Sequence, residues 1–308
     1  MNYFNYIFNP MYSGTVWLYN LIFVFTTMLA FAAQKRYNQN PAAKNIWFFL
    51  SFLIAWFFFA FNNTGTDLRV YIEQYEQSSL TSRYITAVGL ETGYRLLIAL
   101  FHTFIKNPYV GIGILKTIQL SLVFVCIYKL RDKISVGYAI MAYMAVFYFA
   151  SFNVFRISLA GSLVLLSYVL LLEKKMIKST FLVAIACTIH NGVLVYALAL
   201  AFYFCYLWFK RIKSLVRFAI ILAVPVIAFF GRSIIISILQ SGFLMDRYID
   251  YAMAESTLGV MQLIFYLPVF NILINDCKSN NLGNFDVNFV FTITGFIVAL
   301  VGYSVGIL

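Results

Sequence analysis

The chain has 308 residues, of which 63% are hydrophobic and 19% aromatic, while only 11% carry charge. A soluble domain carries about 25% charged residues, so a water-soluble catalytic domain is excluded and the chain reads as an all-α, polytopic integral membrane protein. The net charge of +11 does not imply a nucleic-acid partner, because lysines and arginines sit in short clusters between apolar runs, as cytoplasmic loops do; such clusters also attract the anionic headgroups of membrane lipids.

The N-terminal stretch MNYFNYIFNPMY has no basic region and no small-residue cleavage site, and reads as an aromatic interfacial arm. A first span is expected over about 13–33, ending at a basic loop with Lys35, Arg36 and Lys44 that places the N-terminus outside. A second, over about 46–61, returns outward into a polar outer loop, 62–95. The apolar piece that follows has about ten residues, too few to cross a hydrocarbon core of about 30 Å. Its crossing would also leave the cluster Lys129, Arg131, Lys133 outside. We therefore expect a short re-entrant or interfacial helix near 91–105, beside an outer cavity.

Spans over about 109–128, 135–152 and 157–172 follow. The next run leaves one basic cluster and returns to another, so it must turn outside, at the polar break His190-Asn191-Gly192. A span over about 216–240, an outer loop 241–258, and spans over about 260–275 and 287–306 complete the chain. The sum is about 10 transmembrane helices in one transmembrane domain, 1–308, with both termini extracytoplasmic. Cys126, Cys187, Cys205 and Cys277 lack metal or redox spacing, and no nucleotide or zinc-hydrolase motif is present.

This topology gathers Asp67, Arg69, Glu91, Arg156, His190 and Arg247 at the outer side, with the loops 62–95 and 241–258 forming part of any site. Arg156 is the sharpest signal. A cation at a helix centre costs roughly 2.5–3.5 kcal/mol on insertion scales and needs a partner or an anionic ligand. A snorkelling arginine that reaches the headgroups is the plain alternative. His190 is either a packing and turn residue or a group that donates to phosphate and relays a proton. Asp67, Arg69 and Tyr71 are solvated turn residues or cavity groups. Glu91 favours a helix N-terminus or serves the site. Asp246, Arg247, Tyr248, Asp250 and Tyr251 alternate charge with aromatics, which suits sugar or headgroup contact.

The segments TGTDLRVYIEQY, ETGYRLL, NVFRISLAGSLVLLSYVLLLEKKMIKSTFLVAIACTIHNGVLVY and DRYIDY occur in that order. As an ordered set over about residues 55–255, they resemble the EpsG-like branch of the Wzy-type polysaccharide polymerases. That branch tends to show Gly-Thr-Asp-Tyr with a later Tyr, Glu-x-Gly, Asn-x-x-Arg-Gln, a basic loop and a His-containing turn. Leu68 stands where a tyrosine is usual, Ile157 replaces a glutamine, and Asn63-Thr64 replace a common arginine, for which Arg69 is a substitute. By position the family's functional residues fall on Asp67, Tyr71, Glu91, Asn153, Arg156 and His190.

The resemblance implies a glycosyltransferase of the bacterial inner membrane. It would move a growing glycan from undecaprenyl pyrophosphate onto another lipid-linked oligosaccharide repeat unit, with the site facing the periplasm or exterior. Chain-length regulator and flippase proteins are the implied protein partners. Pyrophosphate is a good leaving group, so cations matter more than an acid. Arg156 with Arg247 or Arg69 would hold it, Asp67 or Glu91 would be the base, and Tyr71, Asn153, Tyr248 and Tyr251 would line the site. No metal or cofactor is expected. The rival readings are a lipid-linked oligosaccharide flippase, which should show related halves, and a membrane acyltransferase.

The topology is checked by reporter fusions. Fusions after Lys133 or Lys178 should score cytoplasmic, and one after Gly242 extracytoplasmic. An extracytoplasmic score at Lys133 would make 91–105 a true crossing.

Overall fold

The computed structural model describes residues 13–35, 41–62, 65, 67–86 and 89–208, and all its elements there are helical, with no strand among the described residues. The chain divides into two compact units, one up to Val193 and one from Leu194 on, of which a single helix, Leu194–Trp208, is described. The expected spans 216–240, 260–275 and 287–306, the loop 241–258 and both termini lie outside the described residues.

The first unit opens with α1 (Ser13–Lys35) and α2 (Pro41–Ala60). Two loop helices follow, α3 (Leu68–Glu76) and the one-turn α4 (Ser82–Ile85). Next come α5 (Thr92–Phe104), α6 (Pro108–Lys129), α7 (Val136–Tyr143), α8 (Phe155–Leu172) and α9 (Met176–Ile189). Within α1, α6 and α8 the described residues hold three segments long and apolar enough to cross a membrane, while 45–60, 136–148 and 176–189 are apolar but shorter. The expected count of ten is therefore represented by three full-length candidates, the described remainder being shorter.

The stretch 62–95 differs from the plain loop read from its polarity. Leu68, Tyr71 and Tyr75 recur at helical spacing and are buried, whereas Arg69, Glu73 and Glu76 on the other face are exposed. A narrow apolar stripe suffices to dock such a helix. Both ends of α5 meet this segment. Near its start, Arg95 Nη1 donates to the Tyr84 carbonyl at 2.6 Å. At its end, the Tyr75 hydroxyl donates to the Ile105 carbonyl at 2.8 Å, and His102 Nδ1 lies 2.8 Å from the Ser78 carbonyl. Thirteen residues rise only about 20 Å. Both ends of this helix are held by residues of the same stretch, 75–84.

Lipid is as apolar as leucine, so packing and buried polar contacts must select the helix pairs. Ser51 Oγ donates to the Thr26 carbonyl at 2.8 Å, joining α1 and α2. The Tyr148 hydroxyl donates to Ala55 O at 2.7 Å, and the hydroxyls of Ser167 and Ser179 lie 2.8 Å apart between α8 and α9. One apolar cluster includes Phe59, Phe124, Tyr148 and Phe152; the other centres on Tyr75, Tyr94, Ile98 and Phe155. At one end of the unit Ser135 Oγ donates to Gln34 Oε1 at 2.6 Å, and Lys129 and Lys175 grip Glu173, holding its carboxyl down to about 2.

The opposite end is shaped by a broken helix and two glycines. After α7 the chain takes a π turn, Met144–Tyr148, then a 3-10 turn, Ala150–Phe152, before α8 begins. Gly65 has φ +130°, and a Cβ there would meet the Phe152 carbonyl oxygen at 2.7 Å. Gly93 lies so close to Thr188 that a Cβ would fall 2.7 Å from that residue's backbone carbon. The start of α5 and the end of α9 thus touch at backbone distance. Gly93→Leu should force them apart at a cost of about 1–3 kcal/mol, typical of overpacking. Denaturant titration in detergent measures it; a wild-type midpoint would mean the helices are not tightly opposed.

Candidate active site

Arg156 lies in the first turn of α8, a place where the helix dipole disfavours a cation. The structure supplies its counter-ion from 65 residues upstream: Arg156 Nη1 donates to Glu91 Oε2 at 2.7 Å. The pair is shielded, with side-chain exposures of 13% for Arg156 and 2% for Glu91. A snorkelling arginine would instead hold its guanidinium in the headgroups. The Tyr94 ring also lies beneath the guanidinium, 5.5 Å from ring centroid to Cζ.

Glu91 caps α5 with its backbone, while its side chain reaches across to the neighbouring elements. Its second oxygen, Oε1, accepts the Asn191 backbone N–H at 3.4 Å. One carboxylate therefore ties α8 to the turn after α9, and the close approach at Gly93 makes that reach possible. At this turn Gly192 N–H donates to His190 Nδ1 at 2.9 Å. The accepting Nδ1 bears no proton, so the neutral ring carries its hydrogen on Nε2.

The loop before α3 closes the other side. The Tyr71 hydroxyl donates to the Asn153 carbonyl at 3.1 Å, and Gly65 lies against Phe152 and Asn153. Burial pushes the Tyr71 phenol above its ordinary value; the Arg156 guanidinium opposes the rise and the Asp67 carboxylate adds to it. The phenol thus stays a donor, and Asp67 and Arg156 are both within electrostatic reach of it. Asp67 itself stands half-buried at the head of α3.

Asp67, Tyr71, Glu91, Asn153, Arg156 and His190 are thus brought to one end of the unit by α3, α5, α8 and the turn after α9. Arg69 is not drawn in: it binds Glu73 at 2.8 Å on the exposed face of α3, with 88% of its side chain accessible. Arg247, Tyr248 and Tyr251 lie outside the described residues. Two buried polar atoms at the centre, Arg156 Nε and the Tyr94 hydroxyl, have no hydrogen-bond partner among the described residues. Such groups are expensive to leave unpaired, and they mark where a polar ligand gains most. No group of three or more His, Cys, Asp or Glu with metal-site geometry occurs among the described residues.

Two buried residues of this site and a third apart from it, Lys116, were not among the expected site residues. Tyr94 gave no signal, being one aromatic among many. Arg95 is buried beside it and holds α4. Lys116 was legible, since it is the one charged residue within 109–128. It is 2% exposed and donates to Asn62 Oδ1 at 2.5 Å.

The model of the EpsG family matches residues 45–308, well over half of the chain. No curated protein and no solved structure matches it. The match takes in α2 from residue 45 on, all of α3 to α9, and every residue of the cluster around Arg156. The chain belongs to the EpsG family, and its apolar helices make it a membrane protein of the polysaccharide-polymerase type.

Proposed function

We propose that this protein is a glycosyltransferase of the bacterial plasma membrane. It polymerises undecaprenyl-pyrophosphate-linked oligosaccharide repeat units into surface polysaccharide, with the Arg156 end of the first unit facing outward. The observation that carries this reading is the shielded Arg156–Glu91 pair, held where the loop before α3, the start of α8 and the turn after α9 meet. The basic cluster around Lys129 and Lys175 at the other end supports the orientation, since such clusters remain cytoplasmic.

In the reaction a hydroxyl oxygen of the acceptor sugar attacks C1 of the donor glycan. The C1–O bond to pyrophosphate breaks, and its electron pair leaves with undecaprenyl pyrophosphate. The hydroxyl proton passes to a base. Charge builds on the leaving oxygen, where a preorganised guanidinium and the positive end of α8 lower the barrier. Arg156 takes that role, with Nε and the Tyr94 hydroxyl as further donors. Glu91 is engaged by Arg156 and Asn191, so it acts as a positioning residue that holds the guanidinium in a fixed plane. Asp67 is then the base. His190, protonated on Nε2, donates to phosphate or sugar oxygen, and Tyr71 holds the Asn153 backbone at the entry to α8.

The direct test supplies the purified full chain with synthetic lipid-linked repeat units and looks for a glycan ladder. Arg156→Lys keeps the charge and loses the planar fork. It should slow the ladder roughly ten- to a hundredfold at matched protein level, the equivalent of one charge-assisted hydrogen bond in the transition state. Near-normal activity would reduce Arg156 to an anchor.

A second measurement separates structure from chemistry. Glu91→Gln strips a buried cation of its counter-ion and should cost about 3–5 kcal/mol of stability. Pairing it with Arg156→Met should restore most of that loss while leaving the protein inactive. If the double variant were as unstable as Glu91→Gln alone, the ion pair would not be what organises this end.

A further inference from the structure

Polymerisation of this kind brings two lipid-linked substrates to one protein, and each carries its own pyrophosphate. The Arg156 cluster accounts for one anion. A second buried cation stands apart from it, Lys116 on α6, and the reaction as described has no use for it. Its ammonium has three N–H donors. One goes to Asn62 Oδ1, at the end of α2, and the ammonium also faces the Phe59 ring at 5.6 Å. No carboxylate within 4 Å pairs with it among the described residues, and neither remaining donor has a hydrogen-bond partner there. An unneutralised ammonium this deep in an apolar helix is costly unless something anionic answers it.

Lys116 opens on a cavity of about 280 Å³ between the end of α2, α3 and the first turns of α6. It is the one charged residue lining that cavity; the walls include Trp56, Phe61, Leu68, Ile72 and Val110. Leu68, Ile72 and Tyr109 are shared with a second, more polar cleft of about 450 Å³ that Arg69, Glu73 and Glu76 line. A single cation in an apolar pocket, next to a polar cleft, matches an amphiphile with a phosphate between a greasy chain and a hydrophilic head. The volume lies near the lower end for ligand pockets, about 300 Å³, which suits a headgroup and the start of a chain.

We propose that the Lys116 cavity is a second lipid-phosphate site, which holds the pyrophosphate and first isoprenoid units of the acceptor substrate while Arg156 holds those of the donor. The acceptor's sugars then extend into the cleft beside Glu73 and Glu76. The α3 helix separates the two sites, presenting Leu68 and Ile72 to this cavity and Tyr71 to Asn153. This inference rests on the polymerase reading.

The test counts bound lipid without requiring turnover. The full chain in detergent is titrated with undecaprenyl phosphate, and bound equivalents are read by native mass spectrometry. Wild type should take two. Lys116→Met should keep one and weaken the other roughly ten- to a hundredfold, as expected for loss of a charge-assisted contact. Arg156→Lys should keep the equivalent that depends on Lys116. Val110→Trp, which adds bulk at the cavity wall and leaves the lysine in place, should lose the same equivalent, which covers the case in which Lys116→Met folds poorly. Two equivalents on a folded Lys116→Met or on Val110→Trp would overturn the proposal. So would phosphatidylglycerol binding at Lys116 as tightly as undecaprenyl phosphate, since bulk lipid would then be the occupant. The polymerase reading fails by a different result, the absence of a glycan ladder from wild-type protein that binds both lipids.

Discussion

An arginine and a glutamate face each other across 2.7 Å, both largely out of water, at the end of the first unit where α5 and α8 begin. Neither charge is tolerable alone in such surroundings, because the attraction of water is lost and only a partner can replace it. Glu91 comes from the entrance to a short helix and Arg156 from the entrance to a long one. Their union requires both entrances to lie at the same end and within one side chain's reach. Burying an ion pair is poor economy for stability compared with an apolar contact. Its value is that a few alternative arrangements of these helices would satisfy it, whereas leucine on leucine would satisfy many.

The local chemistry around the pair follows from that demand. Glycine at 93 lets α5 and α9 touch, which carries the Asn191 amide to the second oxygen of Glu91. Glycine at 65, with φ +130°, lets the loop before α3 lie against the Phe152 carbonyl, which brings Tyr71 to Asn153. The π and 3-10 turns between α7 and α8 interrupt the helix at the point where Arg156 must begin a new one. A π turn inside a helix is often found at a functional site, and here it lies within one turn of the residues that close on the arginine.

Arg156 and Lys116 represent two ways of holding a cation out of water. The guanidinium is planar and braced on one side by Glu91, so its remaining donors point in fixed directions, as a developing charge requires. The ammonium of Lys116 is a compact point charge on a flexible stem, tied to Asn62 and an aromatic face. That arrangement suits attraction more than geometric selection. In the proposed reaction the first quality serves catalysis and the second serves retention of a lipid phosphate.

Much of this was legible in the amino acids. Apolar runs about 20 residues long, separated by lysine and arginine clusters, declare a helical membrane protein, because a buried backbone must bond to itself and positive loops stay inside. The shortness of the run near 91–105 was legible too, and α5 spans only Thr92–Phe104. The ordered motifs pointed to the EpsG family, which the family match then established. The isolated Arg156 marked itself as a residue in need of an anion. What anion answered it was not legible, since Glu91 stands 65 residues away and nothing in local spacing joins them. The same holds for the burial of α3, for Tyr94 beneath the guanidinium, and for Arg69 turning outward to Glu73. Periodicity and charge report what each segment needs, whereas which segments meet is decided by packing between helices, where a glycine's missing Cβ or one hydrogen bond across the interface selects the neighbour.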